Sequence, residues 1–251
     1  LVGSSYFFFY FSNNFLISLL IFSTLLDFYI GKAIFTAKNK KRKKILLITS
    51  LVGNLGLLGF FKYADFAILQ FNILGQELNL NPDIPFLNLA LPIGISFYTF
   101  QTITYTVDIY RGQLKPSDSI WEFALFVSFF PQLVAGPIER AKNLLPQIEK
   151  YNGISIKHIQ SAIVLLFLGY TKKVLISDNI APVIDNYFDN FVQLDSIYAI
   201  SALILFSFQI YFDFSGYSYI ARGIAKLFGI DLMINFDQPY FSISPDYSTK
   251  P

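Results

Sequence analysis

Lys38-Asn39-Lys40-Lys41-Arg42-Lys43-Lys44 stands between two apolar runs, Asn14 to Phe35 and Ile45 to Phe61. It holds six of the 19 basic residues of the chain. A spanning helix needs about 20 mostly apolar residues, and a short basic loop between two such runs marks the cytoplasmic side of a membrane. The composition agrees. Of 251 residues, 54% are hydrophobic, 18% aromatic and only 14% charged, against about 25% charged in an ordinary soluble domain. Too few charges remain to cover an apolar interior with a soluble surface. The expected fold is therefore all-α, a polytopic helical membrane protein. A net charge of +2 calls for no nucleic-acid partner, and the absence of cysteine excludes thiolate metal sites, thioester intermediates and disulfides within the chain.

Outward from this loop, Leu1 to about Phe11 reads as the end of a helix cut short. Beyond Phe61, spans are expected at Leu87 to Ile109, Ile159 to Ser177 and Ser196 to Phe214. An interfacial helix is expected at Ile220 to Phe228, after a bend at Ser215-Gly216-Tyr217. The loop Gly75 to Phe86 carries Glu77 and Asp83 without a base and suits the outside. The run Phe123 to Ile138 is interrupted at Phe130-Pro131 and Gly136-Pro137. If it crosses, the basic stretch 139–157 falls outside and the acidic one holding Asp178, Asp185, Asp189 and Asp195 falls inside. If it enters the membrane and returns, each loop takes its favoured side. A re-entrant segment around Pro131, Gly136 and Pro137 is thus expected. Irregular backbone at that depth must lie against protein or a water-lined cavity. Lys172 and Lys173, near the outer end of their span, are read as snorkelling to the interface.

Polar side chains within apolar spans are candidates for function. Gly94, Phe97, Gln101, Tyr105 and Asp108 recur at offsets of three or four, a single helical face, with Thr104 beside it. Arg111 follows Asp108 at ion-pair spacing. Gln209, Asp213, Gly216 and Ile220 form a second face, with Tyr217 adjacent. Two readings stand: interhelical hydrogen bonding, or the lining of a common polar cavity by Gln101, Tyr105, Asp108, Gln209, Asp213 and Tyr217. His158 is the only histidine and has no carboxylate one turn away to orient it, so it reads as interfacial. No metal-ligand spacing and no Gly-x-Ser-x-Gly elbow occurs. A transporter or channel, or a non-catalytic membrane scaffold, are the alternative functions on these grounds.

Longer strings carry a resemblance. Leu91-Pro92-Ile93-Gly94-Ile95-Ser96-Phe97-Tyr98-Thr99-Phe100-Gln101, continuing through Tyr105-Thr106-Val107-Asp108-Ile109-Tyr110-Arg111, resembles the membrane-bound O-acyltransferase family. The bacterial branch of alginate O-acetyltransferase membrane subunits and teichoic acid D-alanyl transferases is the nearest in pattern. Phe129-Phe130-Pro131-Gln132-Leu133-Val134-Ala135-Gly136-Pro137-Ile138 and Tyr211-Phe212-Asp213-Phe214-Ser215-Gly216-Tyr217-Ser218 continue it, followed by Asn235-Phe236 and Pro239-Tyr240.

The resemblance implies one membrane domain over residues 1–251, with helices ringing a funnel in which an acyl group meets a hydroxyl. It implies acetyl-CoA or a carrier-linked acyl group as donor, with no cofactor held by the chain. The acceptor is a cell-surface polysaccharide such as alginate, periplasmic or acyl-carrier proteins are partners, and the site is the bacterial inner membrane. The family's histidine follows a Phe-Trp-x-Arg-Trp-His string after the Pro-Tyr segment. Here residues 245–251 diverge from the pattern, so that histidine is expected beyond Pro251. No residue of the chain receives the catalytic role, and the chain alone is expected to be inactive. Tyr219 also departs, since the family commonly places an acid there.

Overall fold

The computed structural model describes residues 1–80, 83–133, 136–137, 139–151, 153–189, 196–235 and 240. Among them all regular structure is helical. Ten α-helices follow in order: α1 (Val2–Asn13), α2 (Ile17–Thr36), α3 (Lys40–Glu77), α4 (Ile95–Tyr110), α5 (Ile120–Ser128), α6 (Phe130–Leu133), α7 (Ala141–Glu149), α8 (Ile156–Tyr170), α9 (Asp178–Asp189) and α10 (Ser196–Leu227). A π-helical segment, Thr171–Ser177, joins α8 to α9. Among the described residues four helical stretches are long and apolar enough to cross a membrane: Asn14–Thr36, Lys40–Glu77, Ile156–Asp189 and Ser196–Leu227. The all-α polytopic fold is as the composition required.

The boundaries shift at several places. Helix α3 begins inside the basic run, where the Asn39 side chain accepts a hydrogen bond from the Lys41 N–H at 2.8 Å and caps it. It does not stop at Phe61. Its 38 residues extend over about 57 Å at 1.5 Å per residue, well beyond a hydrocarbon core of about 30 Å. Lys62, Asp65 and Glu77 are therefore helical. The span expected from Leu87 is shortened to α4, 16 residues from Ile95. Pro92 supplies no N–H, Gly94 turns at φ 80°, and the Leu87 and Asn88 N–H groups go to the Asp65 carboxylate at 2.7 and 3.0 Å. The chain before α4 is thus committed to α3 rather than to its own helix. At the other end, no bend separates Phe214 from Ile220: α10 is continuous to Leu227, and the expected interfacial helix is its last turns.

The chain packs as two compact units. The first comprises Leu1–Phe130 and Arg140–Leu145, the second Pro131–Glu139 and Pro146–Pro251. In the first, Tyr105 from α4 meets Phe123 and Phe126 from α5 at ring distances of 4.4 and 6.4 Å, and all three are fully buried. Gly31 of α2 lets Tyr105 approach, since a Cβ there would lie 2.8 Å from its ring. In the second, α8 and α10 run antiparallel along a seam of glycines. A Cβ on Gly169 would meet the Gly216 carbonyl at 2.9 Å, and one on Gly223 would meet Leu166 at 2.8 Å. Small residues at such a seam allow helix backbones to approach closely in a bilayer. Phe7, Phe11, Phe167 and Ile197 lie at least 70% exposed, a surface suited to lipid and unsuited to water.

Candidate functional site

Each unit holds a polar cluster inside apolar helices. In the first unit the centre is Asp27, fully buried in α2. Ser50 Oγ of α3 donates to Asp27 Oδ1, and Asn54 Nδ2 donates to Oδ2 at 2.7 Å. Asn54 Oδ1 in turn accepts from Ser23 Oγ at 2.5 Å and Thr102 Oγ1 at 3.4 Å. Ser50 also reaches Thr106 of α4 at 3.2 Å. Three helices are thus joined by one acid and its donors, as polar groups out of water require. The sequence reading missed Asp27 and Asn54. The available signals were an acid within the Asn14 to Phe35 run and an asparagine in the small-residue stretch Gly53 to Gly59.

The expected face of α4 takes individual partners. Gln101 Nε2 donates to the Phe126 carbonyl at 2.6 Å. That carbonyl lies in the last turn of α5, which ends before Phe129, so a glutamine satisfies what helix termination left open. The Tyr105 hydroxyl accepts from the Ser117 N–H at 3.2 Å. Asp108 is buried, and its Oδ2 has no hydrogen-bond partner. The expected Asp108–Arg111 ion pair does not form. Helix α4 closes at Tyr110, Gly112 turns at φ 72°, and Arg111 is left exposed.

In the second unit the expected face of α10 meets the π-helical segment. Lys173 Nζ lies 2.6 Å from both Asp178 Oδ1 and Asp213 Oδ1 and 5.0 Å from the Tyr217 ring. Its backbone fits against Gly216, where a Cβ would stand 2.9 Å from the Lys173 N. Gln209 contributes its carbonyl, accepting from Ser177 Oγ at 3.3 Å. Lys173 is therefore not a snorkelling charge: two carboxylates hold it. Lys172 lies over the Tyr219 ring at 4.1 Å and near Tyr211 at 5.6 Å. Tyr219 offers a π-face to a cation. Of the residues around the expected re-entrant segment, Pro131 lies in the four-residue α6 and Gly136 and Pro137 lie in irregular chain. Residues 134, 135, 138, 190–195 (with Asp195) and the 245–251 tail fall outside the described residues.

Glu139 closes the second unit at the end of α10. It is buried, its Oε1 accepts the Met233 N–H, and Oε2 has no hydrogen-bond partner among the described residues. Burial pushes its pKa from 4.5 up to about 7, while the Met233 hydrogen bond and the Arg222 charge pull the other way. A carboxyl raised on folding binds its proton more tightly in the native state. Stability contributed this way is full below pH 4.5 and declines as pH rises through about 7. We expect a loss of roughly 3 kcal/mol over that window, abolished in Glu139→Gln. Melting temperature against pH for the two proteins in detergent checks this.

His158 belongs to a helix cap. Ser155 Oγ accepts the His158 N–H at 3.3 Å, and His158 Nδ1 accepts the Ser155 N–H at 3.2 Å. With Nδ1 so occupied, Nε2 faces Asp231 at 4.0 Å. Among the described residues no three His, Cys, Asp or Glu side chains converge as a metal site would require.

These clusters fall within a matched family. The family model for MBOAT, membrane-bound O-acyltransferase family, matches residues 16–247. The chain belongs to the membrane-bound O-acyltransferase family. The match takes in all of the first unit beyond Phe15 and the second as far as Tyr247. Among curated relatives, a peptidoglycan O-acetyltransferase of Helicobacter pylori is 36% identical over 97% of this chain and 50% of its own length. "Probable alginate O-acetylase AlgI" of Pseudomonas aeruginosa is 36% identical over 90% of this chain and 44% of its own length. A teichoic acid D-alanyltransferase of Streptococcus thermophilus is 26% identical over 73% of this chain and 45% of its own length. The chain spans about half the length of the curated relatives it matches.

Proposed function

We propose that these residues form part of an acyl-transfer machine. It moves an acyl group, acetyl in the simplest case, from acetyl-CoA or a carrier-linked donor to a hydroxyl of a cell-envelope polysaccharide such as alginate or peptidoglycan. The observation that supports this reading is the 36% identity to two O-acetyl-transferring relatives over nearly the whole chain. The chemistry needs a base to activate the hydroxyl, and the chain's one histidine is engaged in capping α8. On this reading the chain alone is inactive. Gln101, Tyr105 and Asp108 in the first unit, and separately Gln209, Asp213 and Tyr217 in the second, are the polar groups that each unit offers to this chemistry, and periplasmic or carrier proteins supply the rest.

A chimera of residues 1–235 with the C-terminal half of the Helicobacter pylori relative tests the function. It is expected to restore O-acetyl groups to peptidoglycan in cells lacking their own transferase. A well-folded chimera that restores none would count against the reading. Turnover by the purified chain alone, with acetyl-CoA and alginate in lipid vesicles, would overturn its inactivity.

The same reading puts the protein in the bacterial inner membrane, with the 38–44 run cytoplasmic and the 123–138 stretch re-entrant. Basic loops favour the cytoplasm, and neither the nine residues of α5 nor the four of α6 approach the roughly 20 needed to span. Lys41→Cys and Lys142→Cys should both be labelled by an impermeant thiol reagent only from the cytoplasmic side. The absence of native cysteine makes the assay clean. Labelling of the two from opposite sides would exclude re-entry.

A further inference from the structure

Beside the neutralised Lys173 runs a line of cations that acids do not neutralise. Lys172 and Arg222 have no carboxylate within ion-pair distance among the described residues; the ion pairs there belong to His158, Lys173 and Lys226. Both cations face the Tyr219 ring, Lys172 at 4.1 Å and Arg222 at 5.9 Å. Helical side chains lean toward their own N-terminus. Lys172 therefore reaches back along α8, toward the level of Tyr219 and Arg222 on the antiparallel α10. One turn beyond Arg222 stands Lys226, balanced by Asp231. The Arg222 Nε bonds the Leu232 carbonyl at 3.4 Å, which orients the guanidinium. Glu139 acts on Arg222 only through its charge.

A cleft of about 440 Å³ opens here, lined by Gln160, Ser161, Val164 and Leu165 of α8 and Arg222 and Lys226 of α10. Its α8 side carries Gln160 and Ser161 together with the apolar Val164 and Leu165, and Val164 is 58% exposed on a helix long and apolar enough to cross a membrane. Cationic side chains on α10 beside the apolar Val164 and Leu165 of α8 match an amphiphile with an anionic head. Basic pockets between membrane helices recognise lipid phosphates in this way, and guanidinium binds phosphate through paired donors.

We propose that the cleft between α8 and α10 is a binding site for an anionic phospholipid. Its phosphate is held by Arg222 in the lining and by Lys172, which lies outside the lining and shares the Tyr219 ring with Arg222, and its acyl chain lies along Val164 and Leu165. The site is independent of the acyl-transfer reading, since it needs no turnover.

Native mass spectrometry of the purified chain, titrated with phosphatidylglycerol or phosphatidylcholine, tests it. Retention of phosphatidylglycerol over phosphatidylcholine is expected. Lys172→Gln and Arg222→Gln should each weaken it roughly tenfold, the loss expected for one charge-assisted hydrogen bond. Lys43→Gln, in the basic run of α3, should leave it unchanged. Ser161→Trp, which fills the cleft and removes no charge, should also abolish retention and serves if a charge variant fails to fold. Equal retention of the two lipids, or an equal effect of Lys43→Gln, would overturn the proposal. So would glycerol 3-phosphate competing as well as the lipid, because the cleft would then read free phosphate alone.

Discussion

Gly216→Leu is expected to force α8 from α10 and to lower the stability of the second unit by about 3 kcal/mol or more. The first atom of the new side chain would stand 2.9 Å from the Lys173 N, 3.0 Å from the Lys173 Cβ and 3.1 Å from the Gly169 carbonyl. Two of these are backbone atoms and cannot rotate away. Relief requires the helices to part, which also draws Lys173 from Asp213 and leaves both charges in an apolar setting. Even Gly216→Ala should be destabilising, against the general gain of about 0.5–1 kcal/mol from replacing a helical glycine. Gly56→Ala and Gly59→Ala are the controls, since a Cβ at either meets nothing within 4 Å. Thermal unfolding in detergent, followed by far-UV circular dichroism, measures all four. An unchanged midpoint for Gly216→Ala would refute the close seam.

Asp27→Leu should be nearly as damaging, at roughly 2–4 kcal/mol. The leucine fits an apolar helix, and Asp27 is fully buried, so exposure is not the cause. The loss comes from the donors left behind: Asn54 Nδ2 and Ser50 Oγ both point at the removed carboxylate, and no water at membrane depth replaces it. Asp27→Asn keeps one acceptor and should cost less. In Asp27→Leu combined with Asn54→Leu the second change removes an orphaned donor, so the pair should lose clearly less than the two singles added. Additive losses in the same melting assay would mean that the two residues are not coupled.

The lengths of apolar runs and their basic punctuation are local properties, so the helical membrane class was legible without coordinates. Helix ends were less so. Whether Leu87 to Ile93 is helical depends on Asp65 taking its N–H groups from 22 residues away. Whether α10 bends at Gly216 depends on what packs there. A glycine in a helix reads as a break until a neighbouring backbone is seen against it. The α4 face was recognisable from its spacing, yet spacing could not show that Gln101 caps α5 or that Arg111 turns out.

Composition and the lengths of apolar runs were enough to establish an all-helical, membrane-embedded chain, because burying backbone in lipid leaves few alternatives to long apolar helices. Tertiary structure alone decided which polar groups meet. Lys173 finds Asp213 across 40 residues, Asn54 finds Asp27 across 27 and Gln101 finds the Phe126 carbonyl across 25. Each pairing is set by how closely two helices approach. That distance is governed by glycines and side-chain shapes on facing surfaces, which no periodicity within a single helix encodes.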